Sequence, residues 1–202
     1  NELALVPGRK AGLNILKNIS DFKNYSNTRN DPNLPTTMLS AHNKFGTISI
    51  REVFHSILKK LGKNHQLISQ LIWRDFYYNI AYYKPEVFGN NFNNIYPNIK
   101  WKYNENQFNK WCTGQTGFPF VDAGMRQLNK TGWMHNRLRM VVAQFLTKNL
   151  GIDWKLGEKY FATKLVDYDP IVNNGNWQWN AGTGTDPERY GKPRFFNPWN
   201  QS

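Results

Sequence analysis

Ser49-Ile50-Arg51-Glu52-Val53-Phe54-His55-Ser56-Ile57-Leu58-Lys59-Lys60-Leu61-Gly62 carries every signal of one complete amphipathic helix. Ser49 and Glu52 stand at the spacing of a capping box, the hydroxyl taking a free amide and the carboxylate reaching back. Ile50, Val53, Phe54, Ile57, Leu58 and Leu61 form one stripe at the helical period, and Gly62 supplies the stop. The same grammar extends outward. A second helix is predicted from Gln66 to Tyr83, with Ile68, Ile72, Phe76 and Ile80 on one side, ending before Pro85. Pro119 opens a third, with Val121, Met125 and Leu128 inward and Lys130 and Gly132 at its end. A fourth covers Trp133 to Leu150, with Leu138, Val141, Val142 and Phe145 in its stripe. A fifth follows Asp153 as N-cap and runs to about Leu165. No segment alternates at the period of a strand. The fold class is therefore all-α.

Composition sets the range of partners. The 202 residues suffice for one large domain or two small ones, and a hydrophobic content of 40% supports a real core. Lys and Arg number 26 against 14 Asp and Glu, a formal charge of +12 that favours an anionic partner: nucleic acid or an anionic membrane surface. No apolar run is long enough to span a bilayer, and Asn1 to Lys10 lacks the layout of a signal peptide. The single Cys112 excludes an intramolecular disulfide, and His42, His55, His65 and His135 show no metal-ligand spacing, so no metal is expected. A soluble intracellular protein that binds polyanions is the plain expectation. Eight Trp beside so much positive charge add a second: aromatic surfaces for stacking bases or a ring cofactor.

Two segments are poorly explained by packing. Asn136, Arg137 and Arg139 cluster at the start of a helix whose other face is core, although a solvated face is the commoner fate of such arginines. Further on, Asp167-Tyr168-Asp169-Pro170 is followed by Asn173-Asn174-Gly175-Asn176-Trp177-Gln178-Trp179. Asp169-Pro170 reads as a helix start whose free amides and positive dipole end could face a polar ring. On that helix Trp177 and Trp179 point to nearly opposite sides, one towards a cofactor and one towards a pocket.

These segments carry a resemblance. Gly114-Gln115-Thr116-Gly117-Phe118-Pro119-Phe120-Val121-Asp122-Ala123 and Gly132-Trp133-Met134-His135-Asn136-Arg137-Leu138-Arg139-Met140 are similar to the flavin-binding domain of the photolyase and cryptochrome family. So are Trp154 with Gly157, Glu158, Tyr160 and Phe161, and Asn173 with Gly175-Asn176-Trp177-Gln178-Trp179. Upstream, Leu39-Ser40-Ala41-His42-Asn43-Lys44-Phe45-Gly46 and Leu71-Ile72-Trp73-Arg74-Asp75-Phe76-Tyr77 match as well. The resemblance implies a multi-helical FAD-binding domain over residues 1–202, holding a U-shaped FAD beneath a basic DNA groove. It implies light-driven repair of cyclobutane pyrimidine dimers, in which reduced FAD lends an electron to a flipped lesion.

The resemblance also distributes roles. Tyr25 and the loop Thr36, Thr37, Met38, Leu39 and Ser40 match the FAD phosphate contacts, with Met38 where many relatives carry a basic residue. Arg139, Asp167, Tyr168 and Asp169 match further cofactor contacts, Arg139 pairing with Asp167. Asn173 matches the position beside flavin N5, where an amide, in place of the Asp usual in plant cryptochromes, leans towards repair. Trp177, Trp154 and Trp101 match the tryptophan chain that brings electrons from the surface. Arg29, Gln70, Trp73, Arg74, Asn136, Arg137, Met140 and Trp179 match the DNA and lesion contacts. Met140 with Trp179 resembles the class I cyclobutane-dimer enzymes. Gln70 departs from their usual Glu, and because Gln cannot pass on a proton the expectation is weakened repair.

Compared with the family, the N-terminal antenna domain and the last helices are expected to be missing, the chain being a fragment, a split gene product or a decaying one. A monomer is expected, with damaged DNA and a separate N-terminal antenna-domain chain as partners. The alternatives are a FAD blue-light sensor without repair and a DNA-binding remnant without flavin.

Overall fold

The computed structural model describes residues 4–93, 99–185 and 195–199. Ten α-helices occur among them: α1 (Arg9–Lys17), α2 (Tyr25–Thr28), α3 (Ser40–Phe45), α4 (Ile50–Leu61), α5 (Gln66–Tyr83), α6 (Glu105–Thr113), α7 (Pro119–Thr131), α8 (Asn136–Gln144), α9 (Trp154–Lys164) and α10 (Pro170–Ala181). Among the described residues the extended chain contributes only an isolated bridge between Lys102 and Ile152. The all-α expectation is met.

Local chemistry explains most boundaries. The α4 capping box forms: the Ser49 amide donates to Glu52 Oε2 at 2.8 Å, and the Ser49 hydroxyl accepts from the Arg51 amide at 3.2 Å. Arg9 clamps the same carboxylate at 2.7 Å, tying α1 to α4. Asp153 and Asp169 cap α9 and α10 as side-chain acceptors, and Gly132 ends α7 in the left-handed region at φ 69°.

Two expectations need correction. The fourth helix begins at Asn136, because His135 is its N-cap: His135 Nδ1 accepts from the Arg137 amide at 3.1 Å, which leaves Trp133 to His135 outside. Its end passes through a π-helical turn, Phe145–Asn149. On α5 the buried residues are Leu67, Ile68 and Tyr77, while Ile72 is 61% and Phe76 39% exposed. A row spaced by four residues drifts about 40° per step on a helix of 3.6 residues per turn. Ile68 and Tyr77, nine residues apart, therefore lie on opposite sides of the helix, and the buried side of α5 changes from the first cluster to α10 along its length, so the row Ile68-Ile72-Phe76-Ile80 follows neither. Helices α1, α2, α3 and α6 were not read from the sequence.

The interior has two apolar clusters. Leu16, Ile19, Leu39, Ile48, Val53, Ile57, Leu67 and Ile68 unite α1, α4 and the start of α5. A larger cluster joins α6 to α10 around Trp111, Met125, Leu138, Val142, Leu146, Trp154, Phe161 and Trp177. α5 reaches across by packing Tyr77 on Gly175 of α10, where an added Cβ would lie 2.2 Å from Tyr77 Cδ1. The site lies between the clusters.

Candidate functional site

Three cavities of about 130, 250 and 190 Å³ share two lining residues, Arg139 and Asp167. That pair is the hub of the site. Arg139 comes from the first turns of α8, and one guanidinium nitrogen donates to Asp167 Oδ2 and Oδ1 at 2.8 and 3.1 Å. Its Nε donates to the Met134 carbonyl at 2.8 Å, which fixes the side chain's direction. Asp167 is buried, so the partner satisfies a carboxylate that would otherwise be costly to enclose.

The smallest lobe is walled by Asn173, Asn176, Trp177 and Asn180 of α10, with Asn136 and Met140 of α8 opposite. The second is lined by Tyr25, Thr37, Ser40, Asn43, Lys44, Gln70, Arg74 and Asp169, on a floor of Val53, Ile57 and Leu67. The third is lined by Arg29 and the Thr36 to Ser40 loop against Trp133 and His135. In that loop Met38 has φ 54°, and Leu39 follows in the right-handed region. Such an alternation turns successive amides towards one point and suits an anion. A non-glycine residue there is strained, and strain of this kind gathers at ligand clamps.

Asp169 works inward and outward at once. Its Oδ1 accepts from the Ile171 and Val172 amides at 3.0 and 3.2 Å, and its Oδ2 accepts from the Tyr78 hydroxyl at 2.6 Å. The α10 amides are thus partly taken by their own cap, which corrects the expectation that they stand free to face a ring. Arg74 lies 4.2 Å over the Tyr78 ring, and burial together with the Asp169 bond raises the Tyr78 pKa. Asn173 donates from Nδ2 to Glu158 Oε1 at 3.0 Å, and the Tyr168 hydroxyl donates to the same oxygen at 3.1 Å. Burial first, then the Glu158 charge, pushes the Tyr168 phenol up to about 12. Burial also raises the Tyr25 pKa, and it lowers that of His135 with help from Arg139.

Trp177 joins the cavity wall to the larger core. Its ring meets Phe161 edge-on at 5.0 Å and Trp111 at 6.1 Å. Trp154 is buried deeper in the same cluster, and Trp101 packs half-buried against its edge. The three matched tryptophans therefore span one apolar cluster from cavity to periphery.

Of the other predicted residues, Tyr25, Thr36, Thr37, Met38, Leu39, Ser40, Arg139, Asp167, Asp169 and Asn173 line the lobes, as do Arg29, Gln70, Arg74, Asn136 and Met140. Tyr168 acts instead on Glu158. Gln70 turns its amide back onto the Gln66 carbonyl at 3.5 Å. Trp73 stands 50% exposed against Phe76 and Tyr77 and lines none of the three lobes, Arg137 lies over Phe196 at 5.6 Å, and Trp179 is half-buried on the far side of α10 from Trp177. Sequence reasoning gave no role to Tyr78, Glu158 or Trp111. Only Glu158 sat within a quoted motif; the others depend on how α5 and α6 dock.

The donor set fits FAD. Loop amides and hydroxyls face the third lobe, amides and an indole wall the first, and the buried Asn43 Oδ1 beside the second has no partner among the described residues. Three lobes meeting at one ion pair suit a ligand that bends.

Comparisons agree. Residues 67–202 match the family model described as the FAD binding domain of DNA photolyase. The deoxyribodipyrimidine photo-lyase of Alkalihalophilus pseudofirmus is 44% identical over 182 residues, covering 88% of this chain and 38% of that protein. The Sulfolobus tokodaii photolyase, whose structure holds two FAD molecules, superposes with a TM-score of 0.87 at 47% identity, over 100% of this chain and 44% of that one. The Synechocystis cryptochrome gives 0.84 at 38%, over 98% and 43%. The chain thus spans about two fifths of the length of these relatives. With its folded helices, three-lobed cavity and matched sequence in accord, the chain belongs to the photolyase and cryptochrome family, as a FAD-binding domain of DNA photolyase type.

Proposed function

We propose that this domain uses FAD to repair cyclobutane pyrimidine dimers in DNA under light. The observation that carries the reading is the small lobe, where Asn173 and Trp177 face Asn136 and Met140 across a cavity joined to the Arg139–Asp167 hub. Bound reduced FAD would supply the light-driven electron that splits the dimer and is then returned. The residues do the rest. Tyr25 and the Thr36 to Ser40 loop would hold the diphosphate, and Arg139 with Asp167 would fix the centre of the bent ligand. Trp177, Trp154 and Trp101 would carry electrons inward from the periphery. Gln70, Trp73, Arg74, Asn136 and Met140 would hold the flipped lesion at the mouth, with stacking on Trp73 excluding water. Trp179 would be the second wall of the flipped lesion, and Arg29 and Arg137 would add further contacts to the DNA. The charge of +12 supplies phosphate attraction blind to sequence.

A single helical unit over 1–202 acting as a monomer, beside a separate antenna-domain chain, belongs to the same reading. Among the described residues no helix is long and apolar enough to cross a membrane. The test is near-UV illumination of the FAD-loaded, reduced protein with dimer-containing oligothymidylate. Recovery of thymine absorbance is expected; FAD bound and photoreduced without recovery contradicts repair and points to a light sensor. Gln70→Glu should raise the yield of dimer splitting per photon, and an unchanged yield would show that Gln70 does not weaken this site.

A further inference from the structure

Glu158 lies outside every role assigned so far, yet it touches the residue best placed to sense the ring. It sits on α9, half-buried, and one oxygen accepts both the Asn173 amide at 3.0 Å and the Tyr168 hydroxyl at 3.1 Å. An ionised carboxylate only accepts hydrogen bonds, whereas an Asn side chain donates from one end and accepts at the other. Asn173 must therefore give its NH₂ to Glu158, and the carbonyl is the end left for the cavity it lines. Tyr168, held protonated as a donor, secures the carboxylate from the far side. The orientation of the amide follows from its partner and not from a choice of rotamer.

We infer that Glu158 is a positioning residue that presents the Asn173 carbonyl to the cavity and so makes the site prefer the reduced flavin ring. The inference rests on the reading that FAD occupies this lobe with its N5 edge at Asn173. In the oxidised ring N5 is a bare acceptor, and a carbonyl facing it leaves two acceptors opposed. In the reduced ring N5 carries a hydrogen, which the carbonyl accepts. Were the amide free to turn, its NH₂ could serve the oxidised ring equally well, and the preference would vanish. Asn at 173 is thus only half of the device; Glu158 selects which half of the amide is used.

The test is anaerobic equilibrium binding of oxidised and of reduced FAD to the chain and its variants, with folding checked by circular dichroism. Glu158→Met leaves no acceptor at that point and so releases the amide. It should weaken reduced FAD relative to oxidised FAD by roughly tenfold, the worth of one hydrogen bond. A tenfold change in that ratio equals about 30 mV for a two-electron couple. In an Asn173→Ala background the same change should leave the ratio unmoved, since no amide remains to be oriented. Should Glu158→Met fail to fold because the Tyr168 hydroxyl also loses its acceptor, Glu158→Met combined with Tyr168→Phe removes that orphaned donor and should give the same change of ratio. Equal weakening of both redox forms, or an unchanged ratio with FAD still bound, overturns the role of Glu158 and leaves the FAD site standing. A wild-type chain that binds neither form overturns both.

Discussion

A Cβ on Gly157 would lie 2.2 Å from Cη2 of Trp177 and 2.6 Å from Cδ2 of Leu146. The indole at the cavity wall can sit where it does only because α9 carries no side chain at that point. Gly157→Ala should therefore destabilise the fold by about 1–3 kcal/mol in denaturant unfolding and displace Trp177, seen as a shifted Trp emission. His135 makes a prediction about acid. Burial, then Arg139, hold its imidazole below the ordinary value of 6.5, and its Nδ1 must stay unprotonated to accept the Arg137 amide. The unfolded chain then takes up the proton first, so this contribution is complete above about pH 6.5 and is lost as pH falls through the lower folded value. His135→Asn keeps a capping acceptor and removes the titration, so its melting temperature should fall less steeply from pH 7 to 5 than that of the wild type. Parallel profiles would exclude His135 as the group responsible.

At the scale of the helix, legibility followed the caps. Ser49 with Glu52, Pro119, Asp153 and Asp169-Pro170 each mark a start that the structure reproduces. Ser49→Ala should cost about 1 kcal/mol, because it removes one side of a box that also anchors Arg9. Denaturation midpoints with an unchanged slope check this. α6 had comparable signals, with Asn104 accepting from the Gln107 amide and Gly114 closing the helix, but its stripe is only Phe108, Trp111 and Cys112. The start of α8 was misread because Trp133 and Met134 continue an apolar pattern, and a histidine ring is seldom the acceptor that ends it. The stripe of α5 was misread because the helix buries Ile68 in one cluster and Tyr77, on its opposite side, against Gly175 of α10, so no single face runs along it.

At the scale of the molecule, the pairs that organise the site are far apart in sequence. Arg139–Asp167 was legible through the resemblance, whereas Tyr78–Asp169 and Glu158–Asn173 arise only when α5 and α9 pack on α10. No periodicity encodes those contacts. What the sequence does encode is two apolar clusters whose facing surfaces carry Asp, Asn, Arg and Tyr, and the cavity between them follows. Ligand binding in that gap should bridge the clusters and stabilise the whole chain by mass action. The most direct measurement is titration of the purified chain with FAD, followed by absorbance and by thermal melting. Stoichiometric binding, quenching of Trp emission and a raised melting temperature, all weakened in Arg139→Ala, are the predicted result. A folded protein that stays colourless at high FAD, with an unmoved melting temperature, would contradict the assignment of this cavity.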